Sequence, residues 1–176
     1  MHIRAATYLD RDNVHGVHWS AFPESERELV AKLAIDLLGE ETRPAILSLV
    51  AEADGIVVGH IAFSPVTVDD HENWQGYILA PLGVKPDYQK QRIGSTLIES
   101  SVQQLSDTGV NMIFVYGDPN YYGRFGFRAE TANPYIAPYP LQYPFGWQAI
   151  ALHNCNVEEL PKKITCVHSL CDPALW

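Results

Sequence analysis

Apolar and polar positions along the chain change period several times, and each change marks an element. Residues 2–7 alternate and predict a short first strand. Val14, Val17, His18 and Ala21 then fall at i, i+3, i+4 and i+7, one face of a helix that Asp10 or Asp12 caps and Pro23 ends. Ser25 and Glu28 have capping-box spacing for a second helix, with Leu29, Val30, Leu33 and Leu37 as its stripe and Gly39 as its stop. Two β-branched runs, 46–52 and 56–68, flank Asp54–Gly55 and predict a hairpin. A strand over 76–84 contains Pro81, which removes a ladder donor, so the strand is expected to be interrupted and to splay from a neighbour there. A helix over 93–106 carries Ile98, Val102 and Leu105 on one face, with Leu97 beside them, and stops at Gly109. The run 111–116 is apolar enough for a strand inside a sheet. Asp118–Pro119 opens a brief helix through Arg124, residues 126–130 return as a strand, and 147–152 form another. Between them, at 133–145, prolines alternate with tyrosines in an extended loop. The pattern as a whole is α/β, a mixed sheet with helices packed on it.

At 176 residues the chain is the size of one domain, with neither a repeat nor a linker. We expect that domain over 1–152, with 153–176 as a C-terminal extension packed on it. The longest apolar run, near 46–51, is strand-sized, so no membrane partner is expected. Met1–Arg4 enters the first strand without a signal-like apolar segment, which points to the cytoplasm. A formal charge of −9 argues against nonspecific nucleic-acid binding. It suits a cationic or neutral amine substrate, and equally suits solubility alone. Cys155, Cys166 and Cys171 include no Cys-x-x-Cys pair, so no metal site is expected.

The candidate chemistry begins where the 76–84 strand leaves its last residues, Leu82, Gly83 and Val84, for the polar loop 85–92. There Gln89, Lys90, Gln91 and Arg92 lead into Ile93, Gly94 and Ser95 of the next helix. A loop entering a helix presents unpaired N–H groups at the positive end of the helix dipole, a site for phosphate or pyrophosphate. Gly94 allows close approach, and Lys90 and Arg92 add charge. The segment is neither a Walker loop nor a three-glycine dinucleotide fingerprint.

The string Leu82-x-Val84-x-Pro86-x-Tyr88-Gln89-x-x-Arg92-Ile93-Gly94-Ser95 resembles the acetyl-CoA motif of the GNAT N-acetyltransferase superfamily. Asp118-Pro119-Asn120-Tyr121-Tyr122-Gly123-Arg124-Phe125-Gly126-Phe127 resembles that family's Tyr-x-x-x-Gly-Phe segment. The resemblance spans about residues 2–130 and resembles most a bacterial subgroup of acetyltransferases. It implies a mostly antiparallel central sheet with a splayed CoA-binding strand and flanking helices. It also implies acetyl-CoA as co-substrate and direct transfer to an amine in a ternary complex. A homodimer is implied too, since dimers are common in the superfamily. One departure stands out: Arg92 occupies a position usually held by glycine. The arginine is expected to avoid a left-handed backbone there and to offer its guanidinium to a phosphate.

By the same resemblance, the N–H groups of Leu82 and Val84 would face the pantetheine arm, and one nearby would polarise the thioester carbonyl. Tyr122 would protonate the departing thiolate, an uphill transfer from a phenol of pKa about 10 to a thiol of about 8.5. Asn120 would bond the pantetheine arm or complete its own turn. Glu24, Glu26 and Glu28 lie near the acceptor side; Glu28 is the candidate base, which its capping box also explains, and a water chain or an amine that arrives neutral would also serve. His18, His60 and His71 each read as a base or as a structural residue. Tyr135, Tyr139, Tyr143, Phe145 and Trp147 read as walls of an acceptor pocket or as cover for a sheet edge. The alternative to an enzyme is a CoA-binding sensor or assembly subunit without catalysis.

Overall fold

The computed structural model describes residues 1–69, 71–154 and 161–176, so Cys155 lies outside the described residues. The chain divides into two compact units, residues 1–63 with 80–102, and residues 64–79 with 103–176. Three elements run through both: β3 (Ile56–Val68), β4 (Gly76–Val84) and α3 (Ile93–Asp107).

In the first unit β1 (His2–Ala5), β2 (Leu47–Ala53), β3 and β4 are successive neighbours. The β1–β2 and β2–β3 pairings are antiparallel, from His2 opposite Glu52 and from Leu47 opposite Phe63. Asp54 and Gly55 both have positive φ, 51° and 76°, the geometry of a type I′ turn, so the predicted hairpin forms. Helices α1 (Arg11–Ala21) and α2 (Arg27–Gly39) pack on each other. Of the stripes read from the sequence, Val14, Val17 and His18 of α1 and Leu33 and Leu37 of α2 are buried, Ala21, Leu29 and Val30 only half so, and α2 also buries Ala31 and Ala34. Val14 and Val17 join Ala34, Val50 and Val57 in a cluster closed by Ala6, Ile35 and Leu38. Each fully buried aliphatic side chain of this kind contributes roughly 1.5–3 kcal/mol. The Ser25–Glu28 capping box does not form. Helix α2 starts at Arg27, with Glu26 at the N-cap and no side-chain cap. The Pro23 carbonyl instead accepts from the N–H groups of Glu26 and Arg27, at 2.9 Å each.

In the second unit the first half of β4 pairs in parallel with β5 (Met112–Tyr116), from Gly76 opposite Met112 to Leu79 opposite Val115. Strand β7 (Trp147–Ala151) runs antiparallel to β5. β6 (Tyr135–Ile136) pairs in parallel with β8 (Lys162–Thr165), which also pairs antiparallel with the end of β3. An aromatic stack fills this unit: Phe114 lies on Trp147 at 5.1 Å, and Trp176 on Tyr116 at 6.2 Å. The C-terminal Trp176 thus folds back on its own chain, its Nε1–H donating to the Leu170 carbonyl at 3.2 Å. Tyr135 and Trp147 are core residues, whereas Tyr143 and Phe145 are exposed. Residues 126–130 do not form the predicted strand. Arg128 makes an isolated bridge to Ala149, and α5 (Ala129–Ala132) begins at once. The reason is Gly126, whose left-handed backbone (φ 91°) ends the preceding helical turn and turns the chain away from an extended path.

Cys166 and Cys171 are free thiols. No helix among the described residues is long and apolar enough to cross a membrane.

Candidate active site

The first unit holds Leu82 to Ser95. Strand β4 continues through Pro81 rather than breaking there, and the Ala80–Pro81 peptide is cis. What stops at this point is the ladder with β5, whose register ends at Leu79. The Lys85 N–H donates to the Val58 carbonyl of β3 at 2.9 Å. Successive N–H groups of a strand point to opposite sides in the sheet plane, so those of Val84 and Leu82 point away from β3. They are strand donors past the end of the β5 register, which suits an extended amide-bearing chain laid alongside.

The loop beyond is held by its own side chains. The Gln89 amide donates to the Val84 carbonyl at 3.0 Å, and the Gln91 amide to the Asp87 carbonyl at 3.2 Å. The Thr96 N–H donates to the Arg92 carbonyl at 2.9 Å, the first bond of α3. By helix geometry the N–H groups of Ile93, Gly94 and Ser95 precede that bond and have no partner within the helix. Lys90 and Arg92 have φ of 60° and 64°, so the expectation for Arg92 is corrected: its backbone is left-handed. A side chain in this region costs about 1–2 kcal/mol, and such strain is typical of ligand-binding loops. Two left-handed residues so close together reverse the chain just before α3 begins. The Arg92 guanidinium lies 3.8 Å from the Glu99 carboxylate, an exposed contact of little strength. Glu28 is exposed in the first turn of α2.

A group that the sequence only hinted at lies beside Gly83. His18 of α1 and His60 of β3 are wholly buried, with His18 Nε2 2.8 Å from His60 Nδ1. His60 Nε2 is in turn 2.8 Å from the Ser48 hydroxyl. His18 Nδ1 is buried with no hydrogen-bond partner among the described residues. A Cβ on Gly83 would stand 2.7 Å from that atom, so only glycine admits the ring there. Burial, with His60 and His15 nearby, pushes His18 well below the ordinary imidazole range. Burial pushes His60 down to about 3 against a small opposing pull from Asp10. Both rings are neutral at pH 7. The available signal was His60 inside an apolar run and His18 on the apolar face of a helix.

The second unit holds Asn120 and Tyr122. Asp118 caps α4 (Pro119–Tyr122), its carboxylate accepting from the Asn120 N–H at 2.9 Å, which leaves the exposed Asn120 side chain available. The Tyr122 ring lies over Gly117, where a Cβ would be 2.5 Å from its Cε2. It meets Phe127 and Tyr121 edge-on at 6.0 and 5.0 Å. Its hydroxyl makes no hydrogen bond among the described residues, and burial, then Tyr121 and Asp118, push the phenol far above its usual pKa. Tyr122 is therefore neutral at any physiological pH and keeps its proton for hydrogen bonding.

The sequence model of the Acetyltransferase (GNAT) family matches residues 11–127. The chain is 39% identical over 135 residues to an uncharacterized N-acetyltransferase, YjhQ, of Escherichia coli strain K12, covering 75% of this chain and 72% of that one. The structure is similar to that of the Escherichia coli GNAT family N-acetyltransferase YhbS in complex with CoA (TM-score 0.81, 28% identity, 96% of this chain and 90% of that one). It is also similar to a GNAT family acetyltransferase from Brucella melitensis in complex with acetyl-CoA (TM-score 0.68, 30% identity, 96% of each chain).

Proposed function

The chain belongs to the GNAT acetyltransferase family, and on that premise we propose that it transfers an acetyl group from acetyl-CoA to a primary amine by direct attack in a ternary complex. Acetyl-CoA as co-substrate brings the thioester whose acetyl group moves. The observation that carries the reading is the placing of two sets of backbone donors on one contiguous segment, Leu82 and Val84 past the end of the β5 register and Ile93, Gly94 and Ser95 at the start of α3. Donors at Leu82 and Val84 bond the extended arm and polarise the carbonyl under attack, where negative charge develops. Donors at Ile93, Gly94 and Ser95, with Lys90 and Arg92, hold the anionic end. Gln89 and Gln91 keep the loop in shape for it. Asn120 bonds the arm and Tyr122 donates to the departing sulfur. Glu28 is the candidate base, since its exposed carboxylate can take the amine's proton directly or through water. We take the protein to act in the cytoplasm as a homodimer, which light scattering tests as twice the 19.7 kDa chain mass.

Calorimetric titration with acetyl-CoA and CoA, beside thiol release over a panel of amines, tests this function. Wild type should bind in the micromolar range, Arg92→Glu should lose at least about tenfold in affinity, and Tyr122→Phe should bind normally but turn over about 100-fold more slowly. Binding without turnover on any amine would instead favour a CoA-binding sensor, and no binding at all would refute the proposal.

A further inference from the structure

A cavity of about 680 Å³ lies in the first unit, away from the 82–95 segment. Its apolar wall includes Leu37, Leu38, Ile46 and Leu47, and its polar residues include Glu40, Glu41, Arg43 and Ser48. This size takes a small organic molecule. Two carboxylate residues and one guanidinium residue line it, on a chain of net charge −9, so the complementary ligand has an apolar body and a positive head. Ser48 belongs both to this wall and to the chain Ser48–His60–His18 that ends against Gly83.

We propose that this cavity is a second small-molecule site for an amphipathic primary amine, and that Ser48, His60 and His18 report its occupancy to the Gly83 backbone. Each neutral ring carries one proton, so the chain has two arrangements. In one, the Ser48 hydroxyl donates to His60 Nε2, His60 Nδ1–H donates to His18 Nε2, and His18 presents Nδ1–H to Gly83. In the other, His60 Nε2–H donates to Ser48, His18 Nε2–H donates to His60, and a bare lone pair faces Gly83. Water in the cavity accepts the Ser48 proton and permits the second. An apolar body displaces that water, leaves the hydroxyl only His60 to donate to, and favours the first. His18 and His60 thus act as positioning residues for the strand whose donors flank Gly83. The effect on acetyl-CoA rests on the function proposed above; binding of the amine does not.

The test titrates 2-phenylethylamine into the protein without cofactor, by calorimetry and by nitrogen-15 spectra of the histidine rings, which distinguish the two tautomers. Saturable binding is expected, weakened at least about tenfold in Glu40→Gln/Glu41→Gln and removed by Ala45→Trp at the mouth. A histidine tautomer shift should accompany it in wild type and vanish in Ser48→Ala, which keeps the cavity. Acetyl-CoA affinity should then change about fivefold or more with the amine in wild type but not in Ser48→Ala. Equal or tighter binding of 3-phenylpropionate, or binding indifferent to Ala45→Trp, overturns the site. A tautomer shift that persists in Ser48→Ala, or binding with no shift, overturns the relay. If acetyl-CoA does not bind at all, the proposed function fails while the amine titration still decides the site.

Discussion

Acidification from pH 7 to pH 5 should destabilise this protein far more than its carboxylates alone would require, because of the buried imidazole pair. An unfolded histidine titrates near 6.5. His60 is held down to about 3 in the folded chain, and His18 is also held well below its usual value, in both cases first by burial. Between these limits the unfolded state binds protons that the folded state refuses, so stability is full above pH 6.5 and falls as pH drops toward the folded value. At pH 5 the gap is about 1.5 pH units below 6.5, and each unit is 1.36 kcal/mol, giving about 2 kcal/mol for His60, to which His18 adds in the same direction. Against a usual total of about 5–15 kcal/mol that is a large share. Asp10, kept ionised chiefly by its bonds to Arg4, adds its own loss only below about pH 4, outside this window. Urea unfolding at pH 7 and pH 5 measures the difference, and the double variant His18→Leu/His60→Leu cancels every other ionisable group. The variant should lose at least about 2 kcal/mol less between the two pH values. A wild-type difference under about 1 kcal/mol, or the same difference in both proteins, would refute the account.

Arg92→Gly should relieve about 1–2 kcal/mol of left-handed backbone and lose about 0.4–1 to the freer unfolded chain, for a net gain of about 0.5–1 kcal/mol by urea unfolding. Its acetyl-CoA affinity should fall at the same time, and a loss of stability would show that φ of 64° is not strained. Gly117→Ala puts a methyl where the Tyr122 ring lies, so turnover should fall about 100-fold with acetyl-CoA affinity little changed. Trp176→Ala removes a ring packed on Tyr116, Tyr139 and Trp147 and should lower stability by about 3 kcal/mol without altering cofactor affinity.

What could be read from the sequence was whatever short-range spacing determines. Strand 76–84 has the bounds expected of it, the Asp54–Gly55 turn forms, and Gly109, at φ 84°, lies just past the end of α3. The 82–95 segment was legible for the same reason, since a strand, a loop and a helix start are contiguous in the chain. Arg92 was misread because arginine advertises no positive φ, and the turn demands one regardless. The capping box failed because α2 begins at Arg27 with Glu26 as N-cap, one position later than the Ser25–Glu28 spacing requires. His18 and His60 were each visible as polar residues in buried runs, but they stand 42 positions apart. Their meeting depends on which turn of α1 lies over which residue of β3, and periodicity places faces without fixing that register.

The two units are each assembled from two stretches of chain, and the boundaries fall at 63/64, 79/80 and 102/103. Each boundary lies inside a regular element, β3, β4 or α3, rather than in a loop. No single genetic crossover therefore separates one unit from the other: a segment long enough to carry one unit whole also carries part of its neighbour. Exchanging one unit between relatives takes three junctions, each of which must rejoin a strand or helix in register. Diversification of such a chain proceeds by point substitution and by growth of its loops, not by shuffling of modules.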